Sequence, residues 1–161
     1  MKIYVMRHGP AEDFAKSGRD ADRALTPGGR DRVRAVARLL LESDEAPRVI
    51  ISSPLVRAMQ TAEIVAAEVG ITAVEASREL APSGDAAAFV SSLVKAGRKR
   101  AMIVGHEPDL SSLVATLCGA FARDMLKAMV VGLHVRAGEE PRLRFVLDPK
   151  DLRVERAPKS V

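Results

Sequence analysis

Short apolar runs alternate with longer amphipathic segments, and this alternation restricts the fold of the chain more than any other feature of the sequence. Apolar runs at residues 1–6, 49–51, 71–74 and 101–104 predict buried strands. Apolar residues at helical spacing lie between these runs and predict connecting helices. Strands that alternate with helices are typical of an α/β domain with a largely parallel sheet. We therefore expect a three-layer α/β/α sandwich.

The first two predicted helices have clear start and stop signals. Thr26-Pro27 supplies an N-cap and a proline for the first helical position, and Ser53-Pro54 begins the second helix, which Gly70 ends. The stripes expected to face the sheet are Val33, Val36, Ala37, Leu40 and Leu41 on the first helix, and Leu55, Met59, Ala62, Ala66 and Val69 on the second.

Two further helices are predicted after the third strand. A turn at residues 82–85 leads into one of them, with Asp85 as its capping residue, and this helix closes near Gly97. Asp109 is expected to cap the next helix. The apolar positions on these helices are Phe89, Val90, Leu93 and Val94, then Leu110, Leu113, Val114, Leu117 and Cys118.

The end of the chain predicts two more strands, at residues 130–136 and 142–147, joined by a short turn at 138–141. A short turn joins antiparallel neighbours, so the sheet should be mixed although mostly parallel. Residues 142–159 are the richest basic stretch, which we interpret mainly as a solvated edge and tail, with a basic docking face as the alternative. The 161 residues suit a single domain whose last residues fray.

Composition excludes several classes of function. The formal net charge of +4 is too small and too dispersed to indicate a nucleic-acid-binding protein, and an aromatic content of 3% leaves few rings for stacking bases. The N-terminus does not have the pattern of a signal peptide, and no apolar run is long enough to span a bilayer. We therefore expect a cytoplasmic protein that uses neither nucleic acid nor membrane as a partner.

Polar motifs directly follow three of the predicted strands. Arg7-His8-Gly9 follows the first strand, Ser52-Ser53-Pro54 follows the second with Arg57 one helical turn later, and Gly105-His106-Glu107-Pro108 follows the fourth. In open α/β sheets, ligands bind outside the carboxyl ends of the strands. Parallel strands would bring these motifs to one edge, so two arginines and two histidines should share a crevice.

This set of side chains suits a phosphoryl group. The guanidinium of Arg7 or Arg57 offers a fork of donors that matches phosphate oxygens, and a helix N-terminus near Ser53-Pro54 points amides toward the same edge. A neutral His8 could attack phosphorus through one ring nitrogen if an acceptor such as a backbone carbonyl holds the other. Gly9 would let the backbone approach the site closely.

Three blocks of the sequence resemble the histidine phosphatase (phosphoglycerate mutase-like) superfamily. Val5-Met6-Arg7-His8-Gly9 is similar to its Arg-His-Gly signature, and residues 52–62 and 104–110 resemble its second and third blocks. Residues 22–26 and 79–85 also fit the SixA-type phosphohistidine phosphatases. Because the blocks are ordered and each lies at a predicted strand end, the combined signal is far more specific than one triplet.

The resemblance implies a phosphoglycerate mutase-like fold and a role for each motif residue. His8 would be the nucleophile that takes the phosphate, Arg7 and Arg57 would clamp the phosphoryl oxygens, and His106 would stabilise the transition state. Neither a metal ion nor any other cofactor is implied. His134 lies within an apolar strand outside these blocks, and we interpret it as a plain strand residue.

The general acid is not determined by the sequence. Glu79, Asp85 and Glu107 are candidates, although each could equally be a capping or solvated carboxylate, and this second interpretation is favoured for Asp85. A phosphohistidine substrate needs an acid less, because imidazole leaves more easily than an alkoxide. The resemblance to SixA-type members implies a site without a well-defined acid.

The leading functional prediction is a metal-independent phosphatase that hydrolyses phosphohistidine on a protein through a covalent phosphohistidine intermediate. Few long loops are predicted, so the pocket should be open, which suits a protein surface. The alternatives are a small-molecule phosphomonoesterase of the same superfamily and a phosphate-binding module without catalysis. A metal site formed by the three histidines is a further hypothesis, which lacks a two-histidine helical pair or a cysteine cluster.

Overall fold

The computed structural model describes residues 1–119, 121 and 123–158 of the chain. The helices within these residues are α1 Pro27–Glu42, α2 Val56–Val69, α3 Ala86–Lys95 and α4 Asp109–Cys118, with short 3₁₀ helices at Asp20–Asp22 and Arg78–Leu80. The strands are β1 Lys2–Arg7, β2 Val49–Ser52, β3 Glu75–Ala76, β4 Ala101–Gly105, β5 Val130–His134, β6 Arg142–Asp148 and β7 Arg153–Arg156.

The strands form one mixed sheet in the order β3-β2-β4-β1-β5-β6-β7. The neighbours β3, β2, β4 and β1 run parallel to one another, and β5, β6 and β7 continue the sheet with antiparallel pairing. This arrangement confirms the predicted α/β class and the predicted mixed sheet.

Alternate residues of β1 point into two separate cores. Ile3 and Val5 pack with residues of α3 and α4 on one face of the sheet. Tyr4 and Met6 pack with residues of α1 and α2 on the other face. Since successive side chains of a strand point to opposite faces, the uniformly apolar run of β1 is explained by helices on both sides. The three-layer sandwich is therefore confirmed.

Several local signals act as the sequence predicts. The Thr26 hydroxyl accepts a hydrogen bond from the Gly29 amide at 2.9 Å and caps α1. The carboxylate of Asp85 caps α3 in the same way, through the Ala88 amide at 2.9 Å. Gly70 ends α2 with a φ of 79°, in the left-handed region that glycine adopts without strain.

Other predictions about the elements are wrong in detail. Leu41 is 51% exposed, because it lies at the margin of the stripe that α1 turns to the sheet. The third strand does not form at residues 71–74. Ile71 and Val74 pack against the core from a loop, and the strand that pairs with β2 is the two-residue β3. Asp109 does not cap α4, because its carboxylate accepts the Ser83 amide at 2.8 Å.

The buried face of α2 is rotated from the predicted one. Arg57 and Thr61 are buried, whereas Leu55, Met59 and Val69 are only partly buried. This rotation places polar side chains from the first turns of α2 beside the carboxyl ends of β1 and β4. A stripe chosen by hydrophobicity alone therefore misses the orientation of α2.

The basic C-terminal stretch contains a strand that was not predicted. Residues 153–156 form β7, an exposed edge strand that agrees with the solvated edge predicted for this stretch, and β5 ends at His134 rather than at residue 136. The fraying predicted for the last residues concerns positions 159–161, which lie outside the described residues. In the part of the chain that is described, no helix is both long and apolar enough to cross a membrane. The cytoplasmic location stays a prediction.

Candidate active site

The sheet brings the three motifs together at the carboxyl ends of β1, β2 and β4. Arg7 pairs with Gly105 between β1 and β4, and Ser52 pairs with Val104 between β2 and β4. The His8 amide continues this pairing by donating to the Gly105 carbonyl at 3.1 Å. The polar residues that follow these strands therefore lie side by side, as the strand-end argument predicts.

The ring of His8 is fixed in one tautomer. Its Nδ1 lies 2.8 Å from the carbonyl oxygen of Gly9, which can only accept, so Nδ1 carries the proton and donates it. The side chain is 6% exposed. Burial lowers the pKa of His8 to about 3, helped by the nearby His106 and by both arginines, and opposed by the bond to Gly9. At neutral pH, Nε2 of His8 is consequently an unprotonated ring nitrogen.

Gly9 links the loop that follows β1 to two helices. Its amide donates to the Thr61 hydroxyl at 3.0 Å, and that hydroxyl donates to the Arg57 carbonyl of α2 at 2.7 Å. A Cβ atom at residue 9 would lie 2.6 Å from Cγ2 of Val33 on α1, which is closer than real contacts allow. The close approach expected at Gly9 is therefore an approach to α1.

Both predicted arginines are held by acceptors at the ends of their guanidinium groups. Arg7 donates through Nη1 to the Met125 carbonyl at 2.8 Å. Arg57, which is 5% exposed, donates through Nη1 and Nη2 to the carbonyl and the carboxylate of Asp20, at 3.0 Å and 3.1 Å. Burial lowers the pKa of both arginines. These bonds restrict the orientation of each guanidinium.

His106 faces His8 across the crevice. The two ring centroids are 5.2 Å apart with the planes tilted by 51°. Nε2 of His106 lies 2.7 Å from the Ser53 hydroxyl, and the side chain is 4% exposed. Burial, followed by the charge of Arg57, lowers the pKa of His106 to about 4, so this ring is also neutral at pH 7.

Three buried side-chain atoms in the described part of the chain have no hydrogen-bond partner, and all three belong to predicted site residues. They are Nε of Arg7, Nε of Arg57 and Nδ1 of His106. Buried polar atoms are nearly always satisfied, so such atoms require an explanation. An anion with several acceptor oxygens would satisfy them. A phosphoryl group has this chemistry, because its negative charge is spread over three oxygens.

The three candidate acids are bonded elsewhere. Glu107 accepts backbone amides on both oxygens, from Ser111 at 2.9 Å and from Met125 at 3.2 Å. Glu79 is exposed and accepts the Ser77 hydroxyl, and Asp85 caps α3. None of these carboxylates makes a hydrogen bond to His8 or His106 among the described residues.

Sequence reasoning missed the residues that position this set. Asp20 lies in a polar loop with no local signal, and its contact with Arg57 depends on how the loop folds. The carbonyl of Met125 is a backbone group and is invisible in side-chain patterns. Ser53 and Thr61 belong to a motif block, but their bonds become clear only when β4 and Gly9 are placed beside them.

His134 is far from this crevice. It pairs with Lys2 at the start of β1, whereas His8 follows the end of the same strand. The structure therefore does not bring the three histidines together, and the hypothesis of a three-histidine metal site is wrong. Across the described residues, no group of three or more His, Cys, Asp and Glu side chains is arranged to hold a metal ion.

Comparisons with known proteins agree with this geometry. The family model of the histidine phosphatase superfamily, branch 1, matches residues 3–81. The phosphohistidine phosphatase SixA of Escherichia coli strain K12 is 36% identical over 73% of this chain and 74% of its own length. An uncharacterized protein of Picosynechococcus is 34% identical over 93% of this chain and 98% of its own length.

A solved structure of the protein histidine phosphatase SixA with tungstate superposes with a TM-score of 0.86 at 27% identity. The match covers 95% of this chain and all of that chain. The chain described here belongs to the histidine phosphatase superfamily. Within that superfamily it is a SixA-like phosphatase.

Proposed function

We propose that this phosphatase removes phosphate from phosphohistidine on a protein, with His8 as the nucleophile. The observation that carries the proposal is the unprotonated Nε2 of a neutral His8 beside His106, in a site whose buried donors lack partners. A neutral ring nitrogen is a competent nucleophile, and the unpartnered donors are what a transferring phosphoryl group requires.

The first chemical step forms a bond between Nε2 of His8 and phosphorus. The bond from phosphorus to the substrate imidazole breaks, and that ring leaves with the electron pair and takes a proton from solvent. The phosphorylated His8 keeps its Nδ1 proton and so carries a positive charge, which the Gly9 carbonyl at 2.8 Å stabilises. Water then attacks phosphorus, the Nε2–P bond breaks, and the products are inorganic phosphate, a proton and neutral His8.

Arg7, Arg57 and His106 act on the phosphoryl oxygens during both steps. The Nε–H groups of the arginines donate to oxygens from fixed positions, because Met125 and Asp20 hold the far ends of the guanidinium groups. Donors that are already oriented stabilise developing charge without having to reorganise. His106 supplies the third unpartnered nitrogen from the opposite side of the crevice.

The hydrogen bonds made by the three candidate acids support phosphohistidine as the substrate. An alkoxide leaving group needs a positioned acid, and the bonds made by Glu79, Asp85 and Glu107 occupy them elsewhere. The name of the Escherichia coli relative points to the same substrate class. His8, Arg57 and His106 are each exposed by 6% or less, and a phosphorylated imidazole at the end of a side chain is slim enough to approach them.

The test compares wild type, His8→Ala and His134→Ala on a histidine-phosphorylated phosphotransfer protein and on p-nitrophenyl phosphate, with a chelator present. We expect rapid loss of phosphohistidine with wild type and with His134→Ala, and none with His8→Ala. Phosphate labelled on the enzyme should be trapped by rapid quenching at alkaline pH, where phosphohistidine survives.

Each other outcome has a definite meaning. Turnover of the small ester alone would contradict the proposed substrate and support a small-molecule phosphatase. Phosphate binding without turnover would support a binding module. Activity that survives His8→Ala would contradict the mechanism, and activity abolished by the chelator would contradict metal independence.

A further inference from the structure

A basic groove lies at the end of the sheet opposite the candidate active site. It is lined by the end of β5, the start of β6, the end of β7 and the turn between β5 and β6, and its volume is about 640 Å³. Its charged lining residues are Arg136, Glu139, Arg142, Arg144 and Arg156. Because His134 pairs with Lys2, six residues before His8, and strands advance about 3.3 Å per residue, roughly 20 Å of strand separates the groove from His8.

One buried carboxylate organises the inner wall of the groove. Glu45 is 2% exposed and accepts both terminal nitrogens of Arg144, at 2.7 Å and 2.9 Å. Arg156 at 3.2 Å, Lys2 at 3.3 Å and the Tyr4 hydroxyl at 3.1 Å also donate to it. Burial alone would raise the pKa of Glu45, but the two arginines outweigh it and hold the pKa at about 2.

The cations around Glu45 exceed what this carboxylate can neutralise. A single negative charge is shared by Lys2, Arg144 and Arg156, which leaves a surplus of two positive charges. Arg136 is balanced by Glu139 at 3.1 Å, and Arg142 adds a further charge at the rim. Desolvation, and after it the N-terminal amine, Arg136 and Arg144, lower the pKa of His134, while Glu139 opposes them.

The groove also has small apolar side chains. Ala157 and Pro158 line it, whereas the side chain of Leu143 packs against the core that α3 and α4 form on the other face of the sheet. This combination suits an extended segment rich in carboxylates. A phosphate ion would fill little of such a volume, and no Phe, Tyr or Trp from the described residues lines the groove to stack a nucleobase.

We propose that this groove binds an acidic segment of a protein partner, with the surplus arginine charge attracting carboxylates and Ala157 and Pro158 contacting the apolar atoms of the segment. The proposal does not depend on the reaction at His8. Binding in the groove would raise the effective concentration of the partner at any second site on the enzyme that it also contacts. The basic stretch of the sequence is therefore assigned a docking role in addition to its structural role around Glu45.

The test measures binding of a fluorescein-labelled peptide of alternating Asp, Glu and Leu residues by fluorescence anisotropy, with the full-length chain. The test variant is Arg142→Glu, because Arg142 is exposed and takes no part in the Glu45 cluster. The matched control is Arg153→Glu, an exposed arginine on β7 that does not line the groove. Circular dichroism and turnover of p-nitrophenyl phosphate confirm that both variants are folded.

We expect Arg142→Glu to weaken peptide binding by at least about fivefold and Arg153→Glu by less than about twofold, with affinity falling as salt is added. Equal weakening by both variants would show a general effect of charge, and would overturn the proposal that the groove is the binding site. Absence of peptide binding by wild type would also overturn the proposal. Tighter binding of a single-stranded oligonucleotide or of anionic vesicles, with loss in Arg142→Glu, would overturn the assigned partner.

Discussion

Ser53 and His106 form a buried hydrogen bond of 2.7 Å whose direction can be assigned. The Ser53 hydroxyl oxygen already accepts the Leu55 amide at 3.2 Å. If it also accepted a proton from Nε2 of His106, its own hydrogen would lack an acceptor among the described residues. The hydroxyl therefore donates to Nε2, and in a neutral ring this leaves the proton on Nδ1, the atom without a partner.

The Ser53→Ala variant tests this assignment. Without the hydroxyl, His106 can carry its proton on either nitrogen, so we expect kcat to fall by about tenfold, which corresponds to the loss of one oriented hydrogen bond. Nitrogen chemical shifts of the His106 ring should report protonated Nδ1 in wild type and a mixture in the variant.

The matched control is Ser52→Ala, which removes a hydroxyl bonded to the Ser53 carbonyl rather than to His106. A wild-type ring protonated on Nε2 would contradict the assignment whatever the activity.

Glu107 is predicted to position Arg7 rather than to transfer a proton. Met125 donates its backbone amide to Glu107 and accepts Arg7 through its backbone carbonyl, so the carboxylate fixes the residue that holds the arginine. Glu107→Gln replaces one acceptor oxygen by an amide donor. We expect kcat/KM to fall by about fivefold to tenfold for every substrate.

The measurement compares aryl phosphates whose leaving groups differ in pKa. A positioning residue lowers all rates by a similar factor, whereas the loss of an acid penalises poor leaving groups most, by about a hundredfold or more. Glu79→Gln is the control, because Glu79 is an exposed carboxylate bonded to Ser77. A rate loss that steepens with leaving-group pKa would show that Glu107 is the acid.

Position 9 is predicted to require glycine, because the methyl groups of Val33 leave no room for a Cβ atom. A Cβ at residue 9 would lie 2.6 Å from Cγ2 of Val33, with the next contacts at 3.4 Å. Gly9→Ala should therefore destabilise the protein by about 1–3 kcal/mol, as overpacking does. Urea unfolding of Gly9→Ala, Val33→Ala and the double variant should show that the second substitution recovers part of the loss. Strictly additive losses would contradict the proposed clash.

The stability of the protein should fall as the pH drops from 7 toward 4. The pKa values of His8 and His106 are about 3 and about 4 in the fold, against an ordinary value near 6.5, so the unfolded chain binds protons that the folded chain does not. Each ring contributes a slope of up to about 1.4 kcal/mol per pH unit in that window.

His8→Gln removes one of these two contributions. Urea unfolding at pH 7 and pH 5 should show a smaller loss of stability for the variant than for wild type. Between these values Glu45 stays ionised, because its pKa is about 2, so the comparison isolates the histidines. An equal loss in both proteins would show that His8 is not buried in its neutral form.

The grouping of the candidate site residues was predictable because it follows from strand ends, and the supporting contacts were not. Arg7, His8 and His106 each follow a strongly apolar strand, and parallel pairing is enough to bring such residues together. Asp20 and the Met125 carbonyl reach Arg57 and Arg7 from loops whose paths depend on tertiary packing. No local sequence pattern encodes such contacts.

The fold was predictable in its centre and not at its edges. The central strands β1 and β4 are buried on both faces, so their sequences are continuous apolar runs. The edge strands β3 and β7 read Glu-Ala and Arg-Val-Glu-Arg, and they become strands only through pairing with β2 and β6. Edge strands of this kind are defined by their neighbours, because one side of each is open and charged.

The pairing of Arg7 with Gly105 has a consequence for how this protein can be altered. Deleting one residue from β1 or β4 would shift His8 past His106 and exchange the side chains that face the two cores. Insertions at residues 13–18, which spare Asp20 and its bonds to Arg57, or between β3 and α3, leave that pairing untouched. These segments can therefore be exchanged to redirect specificity while the groups at the site keep their spacing, which makes this chain a scaffold for grafted substrate recognition.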